Sequence, residues 1–193
     1  MGTSLWLVPP PDKANLLSHT IMSLKTPGAQ SPSSYPHFDP HITLATVPSS
    51  TPIANLRASI PHHQKPIPIR FKSLEVGSKY FMSVYVAIHH SPELVTLREN
   101  LQETLGNQAV PPLAHVSLFY IDDSDADERQ KMADKLAEEG RVIVHDDESV
   151  TLDLTEGDKR NQELLTGFEG GEIWIAVCDG PVPTWKVAEK IKL

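Results

Sequence analysis

Short apolar runs alternate with longer amphipathic stretches along this chain. Residues 4–8 predict a strand. A helix follows from Asp12 as its N-cap to about residue 25, with Leu16, Leu17, Ile21 and Leu24 at helical spacing. Residues 41–47 predict a second strand, and Thr51 with Pro52 opens a short helix to about Ile60. Residues 67–76 and 80–88 are rich in β-formers, and Gly77-Ser78-Lys79 between them predicts a hairpin turn. Ser91-Pro92-Glu93 places a hydroxyl cap, a first-turn proline and an acid at the start of a helix that stops at Gly106. After Pro111-Pro112 comes a strand over 114–121. A charged helix capped by Ser124 or Asp125 then runs to about Glu139 and ends at Gly140. Strands near 149–155 and 172–178 complete the pattern. Mixed strands and helices around a central hairpin predict an α+β fold, with helices packed on antiparallel sheets.

A chain of 193 residues fits one domain with a sizeable core. Its one cysteine, Cys178, cannot form an internal disulfide and reads as a small buried side chain at a strand end. A reducing, cytoplasmic setting is therefore expected. The first apolar run is too short to span a membrane and has no basic leader, so no membrane insertion is expected. Net charge is −8 but unevenly placed: residues 1–110 carry +2 and residues 111–193 carry −10. Such a balance argues against a long nucleic acid as ligand, because neutralising many phosphates needs a basic stripe. A small phosphorylated ligand remains compatible with it.

Candidate chemistry comes from two short strands. In Pro40-His-Ile-Thr-Leu-Ala-Thr-Val47, strand alternation puts His41 and Thr43 on one face, with Ile42 and Leu44 on the other. Ala114-His-Val-Ser-Leu-Phe-Tyr-Ile121 repeats the arrangement with His115 and Ser117, 74 residues later. That interval has room for a repeated unit of four to five elements, which would make the two strands equivalent parts of two related lobes. The competing reading is a pair of buried histidines, each satisfied by its own hydroxyl neighbour. A third match, His89-His90-Ser91, is read as accidental, since Ser91 already serves as a helix cap. The pairs His62-His63 and His89-His90 lack ligand spacing to any carboxylate, and His19, His37 and His145 lack chemical context. No metal site and no cofactor are expected.

These motifs resemble those of the two-histidine (2H) phosphoesterases, and within them the cyclic phosphodiesterases of fungi and plants. Residues 80–86 before a helix, and His115 to Tyr120 before an acidic helix, add to the likeness, which extends over the whole chain. The resemblance implies a bilobal, LigT-like α+β fold in which two antiparallel sheets flank a central cleft with pseudo-two-fold symmetry. Each lobe of a single domain, 1–193, would offer one His-x-Thr/Ser to a shared phosphate. It implies hydrolysis of ADP-ribose 1″,2″-cyclic phosphate, a by-product of tRNA splicing, and of nucleoside 2′,3′-cyclic phosphates. His41 is then the acid, His115 the base, and Thr43 and Ser117 the donors to the phosphoryl oxygens. Tyr120 contacts substrate in the resembling subgroup. It lies five residues from His115, so it reaches the cleft only if the strand ends or bulges first. Phe81 and Tyr85 read as core. A monomer acting on a small cyclic-phosphate nucleotide is expected. Fungal relatives have been linked to the Golgi, but no targeting feature here points there. The alternatives are a phosphodiesterase acting on RNA 2′,3′-cyclic ends and a nucleotide-binding module without turnover.

Overall fold

The first strand, β1 (Thr3–Val8), is buried along its whole length, and it is the middle of half of a sheet. This computed structural model describes residues 2–157 and 162–193. Along the chain follow α1 (Pro11–Thr20), β2 (Ile42–Val47), α2 (Ile53–Ala58), β3 (Ile67–Lys79), β4 (Met82–Ile88) and α3 (Pro92–Leu105). Then come β5 (His115–Phe119), α4 (Asp127–Glu138), β6 (Val142–Val144), β7 (Val150–Asp153) and β8 (Leu164–Leu165). The order closes with β9 (Gly167–Gly170), β10 (Glu172–Val177) and β11 (Lys186–Lys192).

Among the described residues, eight strands form one curled antiparallel sheet in the order β11-β10-β1-β2-β5-β4-β3-β9, and β6-β7-β8 form a small second sheet. The large sheet falls into two groups of four strands. They meet where β2 and β5 pair through Ile42 and Val116, the residues just after the two motif histidines. The α+β class with antiparallel sheets is thus the observed one, with the two expected sheets joined edge to edge at their motif strands.

One face of this sheet carries the main core. Leu5, Leu7, Ile42, Leu44, Val84, Val86, Val116 and Leu118 meet Leu17 and Ile21 of α1, Leu94, Leu97 and Leu101 of α3, and Met132 and Leu136 of α4. Removing that apolar area from water is the main stabilising term, at about 25 cal/mol per Å². The opposite face, with the helices behind it, is left to form a cavity.

Three local expectations are corrected. Pro10, not Asp12, occupies the N-cap of α1, and no side chain caps it; Asp12 lies in the first turn. The acidic helix begins later than its expected caps, Ser124 and Asp125. The Asp122 carboxylate accepts from the Ser124 N–H to cap a 3₁₀ turn over Asp123–Asp125. Asp125 instead accepts from Gln30 N–H, Ser31 N–H and the Ser34 hydroxyl, tying the 26–36 loop down. Third, β3 runs through Gly77 to Lys79, and the hairpin turns at Tyr80-Phe81. Gly77 marks close approach, not the turn: a Cβ there would lie 2.1 Å from the Met82 carbonyl oxygen. Ser91 behaves as expected, its hydroxyl accepting from the Leu94 N–H at 3.2 Å.

Candidate active site

Both motif strands break strict alternation, and at the same place. In β2, Ala45 faces Leu5 and Thr43 faces Trp6, so Leu44 is an extra residue. In β5, Phe119 faces Val84 and Ser117 faces Tyr85, so Leu118 is the extra one. These are β-bulges on the leucine that follows each His-x-Thr/Ser. Each bulge lets two successive residues enter the core, Leu44 with Ala45 and Leu118 with Phe119. It also returns the fifth residue after each histidine, Thr46 and Tyr120, to the histidine face.

The outcome is a cavity of about 320 Å³ on the open face of the sheet, lined by His41, Thr43, His115, Ser117 and Tyr120 together. All five residues proposed from the sequence therefore share one cavity. Its walls include Trp6, Thr46, Phe81 and Trp185, with Cys178 at one side. None of the lining residues is Lys, Arg, Asp or Glu. The imidazoles and hydroxyls are therefore the main polar side-chain groups that would meet a bound anion.

The two imidazoles are held in matching ways. His41 Nδ1 lies 2.6 Å from the Asp39 carbonyl oxygen, and His115 Nδ1 lies 3.2 Å from that of Leu113. A carbonyl can only accept, so each Nδ1 carries its proton and donates to the residue two positions upstream. Nε2 is thereby the nitrogen for proton transfer in both rings, and the His115 ring also meets the Phe81 backbone, a contact His41 lacks. The Pro111-Pro112 turn leading to His115 is anchored by the buried Arg98 guanidinium, which donates to both proline carbonyls. The far end of β5 is held by Arg129, which donates to the Ile121 carbonyl at 2.8 Å.

Burial differs between the two rings. His41 is 5% exposed, stacks on Trp6 with centroids 3.9 Å apart, and has Phe38 edge-on at 6.3 Å. Desolvation by this aromatic packing lowers its pKa to about 4; the Asp39 carbonyl opposes the shift, and the charge of His115 adds to it. His115 is less enclosed, with Tyr85 edge-on at 5.0 Å, and burial lowers its pKa as well. The hydroxyl of Ser117 donates to the Phe81 carbonyl at 2.8 Å. Burial raises the phenol pKa of Tyr120, which stacks on Phe38 at 3.9 Å. Tyr120 reaches the cavity because β5 both bulges and ends before it.

Sequence reading missed several neighbours. Trp6 and Ser4 lie on a strand buried on both faces, and only the pairing of β1 with β2 shows which face is the cavity. Thr46 carried a signal, since it stands five residues after His41 as Tyr120 does after His115. Phe81 was read as core, yet it is 47% exposed at the hairpin tip, and the misplaced turn explains the error. Tyr85 is buried as expected. Cys178 is buried too, with its thiol pKa raised to about 11 by desolvation. The remaining histidines do not enter this cavity. Among the described residues no helix is long and apolar enough to cross a membrane, and no group of three His, Cys, Asp or Glu is placed to hold a metal ion.

Comparison with known proteins points the same way. A 2′,3′-cyclic-nucleotide 3′-phosphodiesterase of Yarrowia lipolytica is 25% identical over 217 residues, covering 97% of each chain. Escherichia coli LigT, in structures complexed with NADP⁺ and with 3′-AMP, superposes over the whole of this chain with a TM-score of 0.56 at 11% identity. Those structures cover 96% and 97% of LigT itself. TT0787 of Thermus thermophilus gives 0.53 at 15% identity, covering 98% of that protein. At these identities the superpositions establish the shared LigT-like fold. The model of the cyclic phosphodiesterase-like proteins matches residues 1–193, and with the paired His-x-Thr/Ser strands gathered at one cavity, the chain belongs to that family of phosphoric diester hydrolases.

Proposed function

We propose that this protein hydrolyses nucleoside 2′,3′-cyclic phosphates to nucleoside 2′-phosphates, and ADP-ribose 1″,2″-cyclic phosphate to ADP-ribose 1″-phosphate. One observation carries the reading. Two imidazoles, each with Nδ1 tied to a backbone carbonyl, line the same small cavity as two hydroxyls. Water adds to phosphorus while a base removes its proton, and the P–O bond to the departing ring oxygen breaks as an acid protonates that oxygen. Attacking and leaving oxygens lie roughly in line, so acid and base belong on opposite sides of the phosphorus. Two motif strands from the two halves of the sheet suit that placement. Thr43 and Ser117 donate to the non-bridging oxygens, Ser117 after releasing the Phe81 carbonyl.

Family likeness makes His41 the acid and His115 the base. Burial works against a proton on His41 in the free protein, and a phosphate anion between the rings is the charge that would restore it. The identical bulge and histidine tether in each motif strand support one domain built from two similar lobes. Every group invoked comes from a single chain, in keeping with a monomeric enzyme, and the free thiol of Cys178 suits a cytoplasmic setting. No step calls for a metal. Phosphorus NMR of the protein incubated with 2′,3′-cyclic AMP in EDTA is the test. A 2′-phosphate should accumulate at a rate unchanged by the chelator. A silent spectrum, or loss of turnover in EDTA, overturns the proposal.

A further inference from the structure

Arg98 is an unusual residue to bury. It is 7% exposed on α3, on the side that buries Leu94, Leu97 and Leu101, and none of the ion pairs among the described residues includes it. Taking an unpaired guanidinium out of water is costly, and an apolar side chain of similar volume would fill the space without that cost. What the cation does hold is the turn before β5. Its Nη2 donates to the Pro111 carbonyl and, at 3.3 Å, to that of Pro112, while Nη1 has no hydrogen-bond partner among the described residues. The two prolines bring no N–H of their own, so the turn cannot close on itself through their nitrogens and takes its anchor from α3. On the far side, the Ala114 carbonyl accepts from the Ile88 N–H at 3.2 Å. Leu113 is thus fixed between two anchored carbonyls, and its own carbonyl is the one that faces His115 Nδ1. At 3.2 Å that tether is longer than the 2.6 Å contact of His41 with Asp39. The His115 ring also meets a second backbone acceptor, at Phe81, which the His41 ring lacks. A neutral imidazole carries one N–H, so the two acceptors compete for it.

We propose that Arg98 is a positioning residue for His115: by pinning the Pro111-Pro112 turn it holds the Leu113 carbonyl against Nδ1, so that the proton stays there and Nε2 keeps the lone pair a base needs. The role rests on the reading of His115 as the base of a phosphodiesterase. Without the guanidinium the turn is free to drift, the long tether to Leu113 breaks first, and the Phe81 backbone becomes the better acceptor. The ring then carries its proton on the wrong nitrogen for taking one from water. One neutral hydrogen bond tips such a balance by about 2- to 12-fold, which sets the size of the effect. His41 takes its tether from Asp39, in a different segment, and does not respond.

The test is nitrogen-15 NMR of protein labelled at histidine, at pH 7.5, with the two motif rings assigned by His41→Gln and His115→Gln. Wild type should show Nδ1–H at both rings. Arg98→Met keeps an apolar stem and loses the donors, so the His115 signals should move toward Nε2–H while those of His41 stay. On 2′,3′-cyclic AMP its kcat should fall about 3- to 10-fold with KM within about twofold, and Arg98→Lys, which keeps a charged donor, should lie between it and wild type. Pro112→Gly loosens the same turn from an exposed position and should shift His115 in the same direction. A wild-type His115 that already carries Nε2–H overturns the role, as does a His115 ring that keeps its tautomer in folded Arg98→Met. An equal shift at His41, or a tautomer change that leaves kcat unaltered, overturns it too. Should Arg98→Met not fold, Pro112→Gly decides by the same criteria. Absent turnover in wild type, with the shift confined to His115 intact, removes the phosphodiesterase reading and leaves Arg98 holding the ring; normal turnover with no shift removes the positioning role alone.

Discussion

The burial of His41 against Trp6 sets the pH at which this site can work. At a pKa of about 4 against an ordinary 6.5, the folded protein prefers the neutral ring by about 3 kcal/mol. His115 is also lowered, so both macroscopic steps of the ligand-free protein fall below pH 6.5. A mechanism that needs one neutral and one protonated imidazole then gives a bell in kcat/KM. Its acid limb lies near pH 4, its maximum lies on the acid side of 6.5, and activity falls about tenfold per pH unit beyond the upper step. Replacing Trp6 by Gln lets water reach the ring, weakening the largest cause of the shift. The acid limb should move up by about one pH unit or more and the bell should narrow. The assay is kcat/KM for 2′,3′-cyclic AMP from pH 3.5 to 9 at constant ionic strength, with circular dichroism to follow folding. A wild-type maximum on the alkaline side, or an acid limb that stays put in Trp6→Gln, would refute the argument that aromatic desolvation governs the pair.

Three further outcomes follow from the same structure. His41→Ala and His115→Ala should each lower kcat by at least about a hundredfold, as loss of one general acid or base does, and near-wild-type turnover in either would reject the two-histidine mechanism. Because His41 has a lower pKa folded than unfolded, the unfolded chain binds more protons between about pH 4 and 6.5. Its contribution is therefore present above pH 6.5 and is lost as pH falls, by about 3 kcal/mol at most. Urea unfolding at pH 7.5 and 4.5 should show a smaller acid loss for His41→Gln than for wild type, and equal losses would contradict this. Ser91→Ala should destabilise the protein by about 1 kcal/mol through loss of the α3 cap, read as a lower urea midpoint with unchanged slope.

What the chain declares by itself are the features that depend on near neighbours. Periodicity located strands at 4–8, 41–47 and 172–178, the cap chemistry of Ser91 placed the start of α3, and the matched His-x-Thr/Ser strands pointed to the candidate site and to the family resemblance. Only tertiary structure decided the rest, since each remaining point turns on which strand lies beside which. The bulges at Leu44 and Leu118 exist through pairing with β1 and β4; the first carries Thr46 to the histidine face, and the second, with the end of β5, carries Tyr120 there. The end strand β11, Lys186–Lys192, alternates half-buried and exposed residues and gains its place only by pairing with β10. Gly77 reads locally as a turn former, but the backbone of Met82 makes it a site of close approach and pushes the turn to Phe81. The stacking of Trp6 on His41, from segments 35 positions apart, sets the acidity of the site by excluding water, and water exclusion is a property of the assembled neighbourhood that no local pattern encodes.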